Sequence, residues 1–104
     1  MPDDTNLEAH IVRTYVLLKL TRPDAHGQQS VSLQCHGAYD VRLVEHPAKS
    51  KTEHVMFWIE LFNHRIVRTL DTCAVAQMDD AVAVAREFIS TAKSLDRGAL
   101  REDD

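Results

Sequence analysis

Val31-Ser32-Leu33-Gln34-Cys35-His36-Gly37-Ala38-Tyr39-Asp40-Val41-Arg42-Leu43 sets apolar side chains on one parity and polar ones on the other. Val31, Leu33, Cys35, Tyr39, Val41 and Leu43 fall on odd positions, and Ser32, Gln34, His36, Asp40 and Arg42 on even ones. A period of two is the signature of a strand with one face buried. Gly37 interrupts the apolar parity with no side chain, so the chain can bulge or turn sharply there. The stretch therefore reads as one long strand bent near Gly37, or as two strands in succession.

On its C-terminal side, Pro47, Lys49, Ser50 and Lys51 mark an exposed loop over 46–53. Val55, Phe57, Ile59 and Leu61 then alternate with Met56, Trp58, Glu60 and Phe62, which predicts another strand. Asn63-His64 supplies Asn where a tight turn needs positive φ. A two-residue turn there pairs Leu61 with Ile66, Trp58 with Thr69, Phe57 with Leu70 and His54 with Cys73; a four-residue turn shifts that register. Farther on, Ala81, Val82, Ala85, Phe88, Ile89, Ala92 and Leu95 recur at three- and four-residue spacing, predicting a helix from Gln77 or Met78 to Leu95. Asp79 and Asp80 suit its N-terminal dipole, Lys93 and Arg97 its C-terminal one, and Gly98 its C′ position.

The first segment supports two readings. Thr5-Asn6-Leu7-Glu8 has the form of a capping box, and Leu7, Ile11, Tyr15 and Leu18 would share one helical face. Against this, Ile11, Val12, Thr14, Tyr15 and Val16 favour extended chain, and the preferred reading is a strand from about His10 to Leu20. The resulting fold class is α+β: an antiparallel β-meander of about four strands, the second long and bent near Gly37. One C-terminal amphipathic helix packs on one face. The alternative order is α-β-β-β-α.

With 104 residues, 44% hydrophobic and 27% charged, the chain suits a single domain over 1–104 with one core. Its formal charge of −4 is concentrated at the ends. Asp3, Asp4, Glu102, Asp103 and Asp104 carry five negative charges, so the chain between them stands at +1. The segments of about 1–6 and 98–104 are read as acidic, flexible ends. A near-neutral body with scattered basic residues is not the surface of a nucleic-acid binder. No apolar run reaches the ~18–20 residues of a membrane span. Met1–Glu8 is acidic rather than signal-like, and two cysteines are too few for a disulfide scaffold, so a soluble cytoplasmic protein is expected.

Chemistry-bearing residue types are present without chemistry-bearing spacing. His36, His54 and Cys73, with Cys35, are the candidates for a metal set, yet no CxxC, HxH or HExxH pair occurs and no cofactor is expected. Cys35 and Cys73 read as buried thiols rather than activated nucleophiles, and the six histidines are dispersed rather than clustered. What one helix cannot account for is the second face of the hairpin, at Met56, Trp58, Phe62 and Val67. Trp and Met are types that interfaces favour, so these four form the expected interaction surface, with a homodimer or another protein as partner. A small-ligand or metal-binding role is the alternative.

Overall fold

The computed structural model describes residues 3–45 and 55–102. The elements run α1 (Asp3–Leu20), β1 (Gln29–His36), β2 (Tyr39–Glu45), β3 (Phe57–Asn63), β4 (Arg68–Val75) and α2 (Met78–Glu102). The four strands form one open antiparallel sheet in the order β1-β2-β3-β4. The expected α+β meander of four strands with a C-terminal helix is present.

One assignment changes. The segment from His10 to Leu20 is helix α1, not a strand. Tertiary packing overrides its β-favouring composition: Ile11 and Leu18 are fully buried, and Leu7 and Tyr15 pack beside them, so the 7-11-15-18 face is what the core accepts. The strand count survives because Val31–Leu43 is two strands rather than one bent strand. Gly37 and Ala38 form the turn between them, with Gly37 at φ 63 and His36 paired with Tyr39. A side chain at Gly37 would be strained by that φ and would overlap the Asp96 carboxylate of α2. The turn thus sits closely under the last helix.

Local polar groups finish these joins. Thr14, buried within α1, donates its hydroxyl to the His10 carbonyl at 2.8 Å, which satisfies it inside the helix. Gln29 Nε2 donates to the Leu18 and Thr21 carbonyls at 3.2 and 2.6 Å, joining the Thr21 amide on the first and satisfying the second just beyond the end of α1. Asp24 accepts from the Gln28 and His26 amides, and these bonds hold its carboxyl below the usual range. His10 Nε2 donates to the Leu33 carbonyl at 2.6 Å, tying α1 to β1 at the position where the β1–β2 register shifts.

The β3–β4 turn has four residues, His64 to Val67, so the register differs from the two-residue expectation. Phe57 pairs with Val75, Trp58 with Ala74, Ile59 with Cys73 and Leu61 with Asp71. Asn63 sets the turn through its side chain: Oδ1 accepts from the Arg65 amide at 2.8 Å and, more weakly, from Ile66. The positive φ falls on Val67 instead of Asn63.

Both helices pack on the same face of the sheet. Val41, Leu43, Phe57, Ile59 and Leu61 from the strands meet Ile11 and Leu18 from α1 and Ala81, Ala85, Phe88, Ile89 and Ala92 from α2 in one core. Tyr15 lies on Phe57 with ring centroids 5.3 Å apart. The small residues of α2 let its axis approach the sheet closely. That helix runs through Gly98 to Glu102, so Gly98 is not its stop. Lys19, at the end of α1, donates to Glu45 of β2 at 2.8 Å. Its ammonium pKa is raised by that bond to Glu45.

Candidate interaction surface

Strand alternation sends the even-numbered residues of β2 and β3 to the face that the helices leave open. Asp40 stands beside Phe62, Arg42 beside Glu60, and Val44 beside Trp58. The outer strands add Ser32 and Cys35 on β1, and Thr69, Thr72 and Ala74 on β4.

Polar side chains knit the middle of this face together. Asp40 is buried, and its carboxylate accepts from Ser32 Oγ at 2.6 Å and from His64 Nε2 at 3.0 Å. Glu60, also buried, faces Arg42 Nη2 at 3.5 Å and Thr69 Oγ1 at 3.5 Å. The Arg42 guanidinium lies 4.0 Å from the Phe62 ring centroid, a cation–π contact, and the His64 ring meets Phe62 edge-on. Buried carboxylates persist only where donors surround them, and these two are so surrounded. Asp40→Ala is accordingly expected to lower unfolding free energy by about 1–3 kcal/mol in a urea titration, because Ser32 and His64 lose their shared acceptor. A change near zero would show that water replaces it freely.

The four residues expected to form one surface divide. Trp58 and Phe62 share the open face and are half-buried. Met56 lies just before β3 and packs against the helix-side core, while Val67 occupies the turn and is strongly exposed. Sequence pattern found the face but missed its polar centre, because Asp40, Arg42 and Glu60 looked like ordinary solvated alternates. Their pairing depends on the β2–β3 register.

A second apolar surface lies on α1. Val12, Val16, Leu17 and Leu20 are exposed on the side turned away from the core. Reading this segment as a strand concealed that ridge, since it becomes continuous only at helical spacing.

The metal candidates are not assembled. His36 is on β1, where it contacts Gln34 Oε1 at 2.6 Å, and Cys73 is on β4 at the opposite edge, paired with Ile59. Three strand spacings of about 4.8 Å separate those edges. His54 lies outside the described residues. Among the described residues no group of three His, Cys, Asp or Glu side chains converges as a metal site. Neither cysteine is buried as expected, since the register shift in β1 leaves Cys35 exposed and Cys73 is only half-buried. At Cys35 partial desolvation, then the Asp40 and Asp96 charges, still hold the thiol above its ordinary pKa, which disfavours the thiolate a nucleophile requires. Among the described residues, no helix is long and apolar enough to cross a membrane. No family model, curated protein or solved structure matches this chain.

Proposed function

We propose that this protein is a non-enzymatic protein-interaction module that works as a homodimer. One observation carries the reading: α1 and α2 cover a single face of the sheet and bury only one side of α1. Trp58 and Phe62 therefore stand on the face that neither helix covers, and Val12, Val16, Leu17 and Leu20 form an apolar ridge on the helix layer. Apolar patches of this kind on a small domain mark association sites. A second copy suits them because twofold self-association is the commonest way such patches are covered.

The polar cluster supports binding rather than catalysis. Ser32 and His64 both bond to Asp40, so the carboxylate lies between them and the imidazole does not face the hydroxyl as a general base would. Sedimentation equilibrium of the full chain is expected to give twice the monomer mass. A single monomeric species across the concentration range would overturn the proposal.

A further inference from the structure

Resting on the homodimer reading, we infer that the two copies meet through α1, helix against helix and antiparallel, about a twofold axis. The helix is apolar on both sides. Its inner side buries Ile11, Thr14 and Leu18, whereas outside Val12 is 43%, Val16 52%, Leu17 55% and Leu20 75% exposed. These are four of the eight large hydrophobic side chains exposed among the described residues, gathered on one element. A surface helix ordinarily turns charged residues outward, and one that is apolar all round is covered on both sides. Ala9, Val12, Val16 and Leu20 recur at spacings of three and four and form one ridge, with Leu17 beside it.

Charge sets the direction of pairing. Glu8 lies at the beginning of the ridge, and Lys19 and Arg22 lie at its far end, all three exposed. Parallel pairing would oppose Glu8 to Glu8 and Lys19 to Lys19. Antiparallel pairing brings Glu8 to the Lys19 and Arg22 end of the second copy, once on each side of the axis. In that arrangement Ala9 meets Leu20 and Val12 meets Val16, so small residues face large ones and like-sized residues face each other. Arg13, exposed between the ridge and Leu17, turns its guanidinium to water in this arrangement while its aliphatic stem covers apolar surface. Lys19 keeps its bond to Glu45 on its own chain, which holds the end of α1 in place. The open sheet face carries no continuous ridge, since Trp58 and Phe62 are half-buried there and the Arg42–Glu60 pair lies between them.

Sedimentation equilibrium on the 104-residue wild type, Val16→Glu and Trp58→Glu separates the outcomes. Trp58→Glu is expected to leave the dimer intact; loss of the dimer in that variant would move the interface to the sheet face and overturn the α1 pairing. Val16→Glu is expected to raise the dimer dissociation constant about a hundredfold or more, by placing two charges in an apolar seam, with the circular-dichroism spectrum unchanged. Leu20→Lys repeats the test at the most exposed position of the ridge. Glu8→Lys is expected to weaken the dimer about fivefold, and adding Arg22→Glu to recover part of that loss. A dimer that survives Val16→Glu and Leu20→Lys overturns the α1 pairing while leaving the homodimer reading intact. A monomeric wild type overturns both.

Discussion

Phe57→Ala is expected to destabilise the fold by about 3–5 kcal/mol, the usual cost of removing a fully enclosed aromatic ring and leaving its cavity. Phe57 has no exposed surface and begins β3, where it pairs with Val75 and carries the Tyr15 ring of α1. Its loss therefore loosens a strand pair and the seat of a helix together. The corresponding fall in melting temperature is roughly 15–30 °C for a domain of this size. Thermal and urea unfolding followed by circular dichroism check it. A loss below about 1 kcal/mol would mean that the neighbouring side chains collapse into the space, contrary to a close-packed core.

Ile11→Asp is expected to do at least comparable damage. Ile11 is fully buried in the core that the sheet and α2 share, so the substitution deletes apolar packing and places a carboxylate among apolar side chains. Together these cost about 4 kcal/mol or more, a large part of a small domain's stability. Val12→Asp, one residue away and 43% exposed in the single chain, is expected to change the stability of the monomer by no more than about 0.5 kcal/mol, its cost falling on dimer association instead. Thr14→Arg should be damaging like Ile11→Asp, because Thr14 is buried. Positions 11 and 14 share a face in a helix and lie on opposite faces in a strand, so the pattern across 11, 12 and 14 identifies the conformation. Tolerance of Thr14→Arg together with intolerance of Ile11→Asp would contradict α1.

These substitutions also show where the sequence was informative. The stretch around Gly37 alternates apolar and polar residue types, and the spacing from Ala81 to Ala92 separates a buried from an exposed face, so periodicity alone identifies strand and helix. In α1 apolar residues occupy both sides, and the contrast on which periodicity depends is lost. Its β-branched residues then tip local preference toward strand, while Leu7, Ile11, Tyr15 and Leu18 follow the long-range contacts that decide the matter. The β3–β4 register was obscured for a different reason. Asn63 is a turn-forming residue, yet it acts through its side chain at the start of a four-residue turn. Within the candidate surface, Trp58 and Phe62 were legible from alternation. The Asp40 and Glu60 clusters were not, because each needs residues from different strands.

The meander also has a temporal consequence. Each strand hydrogen-bonds to its immediate predecessor in the chain, so the sheet can assemble in the order in which it is synthesised. α1 cannot be finished that way: although it is made before the sheet, part of its seat is α2, which is made after it. Until Ala81, Ala85 and Ala92 are synthesised, the apolar inner side of α1 lacks part of the core that covers it, and exposed apolar surface of that kind is what makes incomplete chains prone to aggregate. Completing the core thus requires α1 and α2 to meet across all the sheet sequence that separates them.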